Sequence, residues 1–215
     1  MSVSLPNGST IHIASGTGAA INVTAISNAV QAVCTAAGHG LANGDYVILT
    51  SGWSRLTDKV FRVAGSTTNT FDLEGQDTSD VNIYPAGGGV GSVKKISGWT
   101  QLTQVLETTS QGGEQQFATY QFLEADREVR IPTTKSGGGL TINVADDPTL
   151  PGYQLASKAN DDRLARAVRV TTSSGSKILY YSYVTIDKTP SMSVNNVMAC
   201  QATLSHLNEP VRYAN

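Results

Sequence analysis

The sequence predicts a mainly β protein with one α-helix and, near its start, a compact block of short strands that reads as a small barrel or sandwich. Three observations predict it. Of 215 residues 21 are Gly, interspersed with Thr, Ser, Val and Asn, which is the composition of strands joined by turns. Apolar and polar residues alternate in many short runs, the period of a half-buried strand. Helix signals gather in one place, "DDPTLPGYQLASKAND", where prolines and acids precede an apolar-periodic stretch over roughly 149 to 160.

Taken in order, "STIHIASG" (9 to 16) alternates, with Ile11 and Ile13 on one side and Thr10, His12 and Ala14 on the other. This is a strand that "GTG" should break. A block from 20 to 92 follows. "INVTAIS" and "AVQAVCTAA" read as strands, and "GHGLANGDYVIL" (38 to 49) then turns the chain. Asn43-Gly44 is a hairpin dipeptide. "DYVILT" sets Tyr46 and Ile48 against Val47 and Leu49 on opposite faces, and "KVFRVAG" and "NTFDLEG" add two more strands. About five short strands with tight turns make a small barrel or sandwich. "SVKKISGWTQLTQVLE" is one extended strand kinked at Ser97-Gly98. Residues 108 to 128 read as a long, partly ordered excursion with a flexible segment at 108 to 116. After the "KSGGG" turn come the strand "LTINVADD", the helix, and the strands "LARAVRVTT", "SKILYYSYVTID" and "NVMACQATLSHLN", with "SSGS" (173 to 176) as a hairpin turn. The last strand puts Met198, Cys200, Ala202 and Leu204 on an apolar face and Ala199, Gln201, Thr203 and Ser205 on a small polar one. That is a sheet with one wet side.

Several function classes find no support. The net charge of -2 gives no basic excess for gripping nucleic acid. No run reaches the roughly 20 apolar residues of a membrane helix, and the start, "MSVSLPNGSTIHIASG", lacks the basic and apolar regions of a signal peptide. The chain reads as a soluble product of a cytoplasm. Cys34 and Cys200 are expected as small buried residues. His39 and Asp45 flank a turn and could approach each other, but no G-x-S-x-G elbow supplies a nucleophile. His12, His39, His206 and the two cysteines occur singly, without metal-ligand spacing. Asp146-Asp147 and Asp161-Asp162 read as helix-boundary residues, and "AGGGVGS" (86 to 92) lacks the lysine and following helix of a phosphate loop. Arg163, Arg166, Arg169 and Lys158 are expected in surface ion pairs. Tyr180, Tyr181 and Tyr183 are expected in a core or subunit interface. No enzyme, cofactor or metal is expected.

Two segments carry resemblances. Residues 92 to 215, with "GSTIHIASG" before them, resemble the tail tube protein of long non-contractile-tailed bacteriophages. The order is strand, long loop, strand, helix, hairpin and final strand, and "TIDKTPSMSVNNVMACQATLSHLNEP" is the most suggestive segment. The block "VCTAAGHGLANGDYVIL … DKVFRVAGSTTNTFDLEG … YPAGGG" is similar to a small β module of phage tail and virion proteins, in which His39 and Asp45 are turn and strand-start residues. The resemblance implies a tail-tube-type β-sandwich or barrel over 1–19 and 93–215, with the module at 20–92 decorating the outer wall.

The resemblance also implies hexameric rings stacked into a hollow tail tube of a siphovirus virion. Its subunits are made in the host bacterial cytoplasm, and the helix lies outside an inner barrel. Partners would be other copies, the tape-measure protein and DNA in the lumen, and the tail terminator and distal tail proteins. Thr141, Asn143, Gln201, Thr203 and Ser205 are candidate lumen residues, since a conduit works best without cations that bind phosphate. By the same analogy Glu107, Gln111, Glu114, Phe117, Tyr120 and Phe122 are candidate ring-to-ring contacts. The rival readings are another virion component (a distal-tail, connector or decoration module) and a cell-wall hydrolase, for which no carboxylate pair or metal cluster is apparent.

Overall fold

Two long strands run through the molecule and join its halves. In the computed structural model, which describes residues 6–214, β1 (Thr10–Val23) pairs antiparallel with β7 (Gly91–Leu102) from Ile11↔Leu102 to Val23↔Gly91. "GTG" therefore does not end the first strand. The register slips between Ala14 and Ala20 instead, as in a β-bulge, which bends a strand without ending it. Gly16 lies opposite Gly98, where a Cβ on either would fall within 2.8 Å of the Oγ of Ser97 or Ser15. The kink expected at Ser97-Gly98 is β7 following the bend of β1.

Past the bend, the ends of β1 and β7 carry five further strands: β2 (Ala25–Ile26), β3 (Val33–Thr35), β4 (Tyr46–Ser51), β5 (Lys59–Ala64) and β6 (Thr70–Leu73). Their order is β2-β3-β6-β5-β4-β7-β1. Val47 and Leu49 enter a core with Val23, Trp53, Leu56, Phe61, Phe71, Leu73 and Val93. Tyr46 and Ile48 face the other way, as their alternation requires. Each large apolar side chain removed from water contributes roughly 1.5–3 kcal/mol, so these short strands hold by their core rather than their length. The glycines of "AGGGVGS" serve packing: a Cβ on Gly89 would lie 2.9 Å from the Trp53 ring.

On the other side of β1 the order runs β1-β12-β13-β14-β11-β8, through β12 (Arg166–Thr171), β13 (Lys177–Ile186), β14 (Ala199–His206), β11 (Gly139–Ala145) and β8 (Val105–Gln111). β15 (Val211–Tyr213) pairs with the start of β13. The helix α1 (Pro151–Asp162) begins with proline at its first turn, where no backbone donor is lost, and ends at Arg163 in the left-handed region (φ 55°). It starts and ends two residues later than expected. Tyr153, Ala156 and Ala159 press it onto one face of the sheet, against Ile11, Ile13, Leu102, Val184 and Leu204. The small alanines let it lie close. A third cluster, on the opposite face of β12 and β13, joins Ala14, Ala167 and Leu179 to Ile48, Val60, Ile96 and Tyr213. β4, β5 and β15 thus cover the sheet on the side away from α1.

Two expectations need correction. The extended strand at 92 to 107 is two strands, divided where Gln104 takes φ 58°. The excursion at 108 to 128 is ordered. Its first residues belong to β8, and β9 (Gln115–Tyr120) pairs with β10 (Val129–Lys135) in a separate two-stranded arm. Sparse apolar residues hid these strands from periodicity, because none of them has a buried face.

Candidate functional site

Register decides which side chains share a face. Thr141 lies opposite Thr203, Asn143 opposite Gln201 and Gly139 opposite Ser205. Directly paired residues point to the same side, so the five candidate lumen residues form one patch. β8 extends it, with Glu107 beside Asn143, Thr109 beside Thr141 and Gln111 beside Gly139. β13 extends it the other way, with Tyr183 beside Ser205 and Thr185 beside Thr203. Thr109, Tyr183 and Thr185 were missed in the sequence. The alternation of "YSYVTI" hinted at the last two, but only pairing shows whose neighbours they are. The alternate residues Ile142, Val184, Ala202 and Leu204 are buried beneath, toward α1.

This four-strand face bears hydroxyls, amides and one carboxylate, Glu107, with no Lys or Arg along its paired stretch. Gln201, Ser205, Thr185 and Glu107 are exposed. Thr141 is buried, closed in by Thr109 and Thr203 on either side. The face is wide, uncovered and nearly neutral. Further along the same side the sheet disappears under β4, β5 and β15. Among the described residues no strand pairs with the outer hydrogen-bonding edge of β8.

The other candidate residues divide between two places. Glu107 and Gln111 stand on the polar face. Glu114 lies at the base of the arm, where its N–H donates to Ser136 Oγ (2.9 Å) and its carbonyl accepts from the Ser136 N–H (2.9 Å). Phe117, Tyr120 and Phe122 are on the arm and exposed. Tyr120 and Phe122 meet edge to face, with centroids 5.2 Å apart. Pairing puts Ala118, Tyr120, Val129 and Ile131 on one side of the arm, and Leu123 at its tip is fully exposed. A lone two-stranded ribbon with such a side is marginal in water and gains when that side is covered.

Elsewhere the polar groups are tied into structure. The buried His39 uses both ring nitrogens on the backbone: Nδ1 accepts from the Leu41 N–H (3.0 Å) and Nε2–H donates to the Thr70 carbonyl (3.2 Å). Its ring meets Phe71 edge to face. Asp45 accepts from the Ala42 N–H (2.8 Å) and pairs with Lys95 (2.6 Å). Burial acts to raise its carboxyl, but these two partners prevail and hold it below the usual range. The stretch 38 to 49 is a pinned turn. Burial, helped by Asp72, pushes the Cys34 thiol up to about 12. Burial also raises Cys200, which touches Tyr153 and Asp146. Both are core thiols. Arg166 pairs with Asp162 as expected, whereas Arg169 lies 4.7 Å from the centre of the Trp99 ring. Tyr180 stacks on His206, Tyr181 is half-buried and Tyr183 is open on the polar face. Among the described residues no group of three His, Cys, Asp or Glu converges as metal ligands would.

The family model described as "Phage tail tube protein, TTP" matches residues 51–215. The match takes in β7 to β15, the polar face, the arm and α1, and begins inside the small module. The chain belongs to this family, and its role is that of a structural component of a tail tube. No curated protein matches it. Among solved structures, the tail of an empty GTA particle in C6 symmetry is similar at 13% identity and TM-score 0.44, covering 55% of this chain and 89% of that one. The anti-feeding prophage cap that terminates the AFP tube is similar at 12% identity and TM-score 0.36, covering 50% and 79%. The family assignment rests on the family match.

Proposed function

We propose that copies of this chain close side by side into hexameric rings and stack into the hollow tube of a long, non-contractile phage tail. The face of β8, β11, β14 and β13 lines the lumen. The observation that carries this reading is that face: wide, polar, uncovered and free of cations, on the side of the sheet away from α1. DNA crossing such a wall meets no Lys or Arg whose counterion release would hold it. Glu107 and Gln111 join Thr141, Asn143, Gln201, Thr203 and Ser205 there, so their proposed role moves from ring contact to lumen. The free edge of β8 supports lateral closure, since a neighbour's strand can complete its hydrogen bonds and remove the edge.

Glu114, Phe117, Tyr120 and Phe122 remain the proposed contacts between rings, carried by the arm. The tape-measure protein occupies the lumen before DNA, and terminator and distal tail proteins bind the two ends. Residues 1–19 and 93–215 form the tube core and 20–92 the inserted module. Because β4 and β5 lie opposite α1, the module's placement favours a contact between copies over decoration of the outer wall.

Electron microscopy of the purified protein at rising concentration tests the reading. Long hollow tubes with a regular axial repeat are expected. Replacing residues 114–136 by a short Gly-Ser turn should leave a folded protein that forms none. Closed rings that never stack would instead indicate a connector or distal-tail component. Normal tubes from the armless chain would remove the arm from the assembly.

A further inference from the structure

A groove of about 930 Å³ opens where three parts of the chain meet: the module, the base of the arm and the C-terminal segment before β15. Its charged lining is Arg55, Lys59, Lys135 and Glu209. Lys135 pairs with Glu209, which leaves two cations in excess. Burial pulls Lys59 below the ordinary lysine range; Glu209 opposes this, while Arg55 and Lys135 reinforce it. Glu209 is held low, first by the Lys135 hydrogen bond and further by Lys59 and Arg55. The groove is thus an unneutralised positive site with one carboxylate already spent.

The tip of the arm has the opposite character. "FLEADRE", residues 122 to 128, holds three acids against one arginine and leads with Phe122 and Leu123, both exposed. All its charged residues are exposed. The tip cannot serve its own groove. The six residues of β9 hold it about 20 Å from the base at the rise of a strand, and the groove lies at that base. A donor at one end of an arm and an acceptor at the other make a heterologous contact, which repeats from copy to copy.

We infer that the groove of Arg55, Lys59 and Lys135 receives the acidic arm tip, Glu124, Asp126 and Glu128, of a second copy of this chain. The inference rests on the tube reading and gives the inserted module a part in it, as half of the socket for a neighbour's arm. The apolar lead residues Phe122 and Leu123 come to rest against Leu207 and Pro210 at the groove wall.

Charge reversal tests the contact, and all the positions used are exposed, so the fold is kept. A tip variant (Glu124→Lys, Asp126→Lys, Glu128→Lys) and a groove variant (Arg55→Glu, Lys135→Glu) should each lose tubes by electron microscopy. The chain carrying both sets should regain them. Tubes from both single variants, or none from the combined one, would overturn the inference and leave the tube reading standing. If the unaltered chain makes no tubes, the tube reading fails and sedimentation velocity at low salt decides the contact. Self-association lost in each variant and regained in the combined chain supports it; a monodisperse unaltered chain at every concentration refutes it. Mixing an Asp126→Cys chain with an Arg55→Cys chain gives an independent readout. A disulfide-linked heterodimer is expected, since Cys34 and Cys200 are buried, and its absence under oxidising conditions would count against the contact.

Discussion

Tyr213 fastens the end of the chain to the module, and its removal should be legible in a pH titration of stability. Its hydroxyl oxygen accepts the Arg62 N–H at 2.8 Å, and the Arg62 guanidinium sits 4.6 Å from the ring centre. The ring is 6% exposed. Tyr213→Phe keeps the ring and orphans a backbone donor, which costs about 1–3 kcal/mol. A second effect has the opposite sign. Burial pushes the Tyr213 hydroxyl up to about 12; the Arg62 hydrogen bond opposes this and Glu74 adds to it. A tyrosine whose folded pKa exceeds its unfolded value of about 10 contributes stability that is whole below pH 10 and is lost as pH rises toward 12. That shift corresponds to roughly 2–3 kcal/mol. Urea unfolding of both proteins from pH 8 to 12 should therefore show Tyr213→Phe less stable at pH 8, with the gap closing and then reversing. Tyr153, also pushed up to about 12, titrates in both proteins and cancels in the difference. A gap unchanged across this window would refute the assignment of a buried, neutral hydroxyl to Tyr213.

Other outcomes follow from particular contacts. His39→Ala strips the buried Leu41 N–H of its acceptor, while the Thr70 carbonyl keeps the Thr67 N–H, and should cost about 1–3 kcal/mol by denaturant midpoint, with tube formation by the folded fraction unchanged. Gly91→Ala would place a Cβ 1.9 Å from the Thr50 carbonyl. It should cost about 3 kcal/mol or more, whereas Gly137→Ala, which meets nothing within 4 Å, should stay within about 0.5 kcal/mol. Gln201→Lys with Thr203→Lys should leave tubes intact but make them retain DNA at low salt and release it at high salt. Equal retention by unaltered and lysine-bearing tubes would remove this face from the lumen.

Much of this is legible in the sequence wherever one face of an element is buried. Val47 and Leu49 against Tyr46 and Ile48, and Cys200, Ala202 and Leu204 against Gln201, Thr203 and Ser205, fall on the sides their alternation assigns. Met198 does not belong to that series: it precedes β14 and is largely exposed. Where neither face is buried the pattern is silent. β9 and β10 owe their strands to each other, and no residue of β10 is buried. The bulge at Gly16 escaped for a related reason: a glycine that bends a strand and one that ends it look alike until a partner strand follows the bend. The polar face was half legible. Its strands could be named, but Glu107 could join Asn143 only through a register that depends on residues far apart in sequence.

The shared length of β1 and β7 bears on how this protein can be taken apart. The proposed boundaries of the module, at 19/20 and 92/93, both fall inside paired strands. An excision of 20–92 would cut β1 at the end of its bend, take Gly91 and Ser92 from β7, and strip Ala14, Leu179 and Ala167 of the cover that Ile48 and Val60 supply. A donor grafting this module onto another sheet would have to bring the far ends of β1 and β7 with it. Moving this block between proteins would therefore require moving the sheet it grows from.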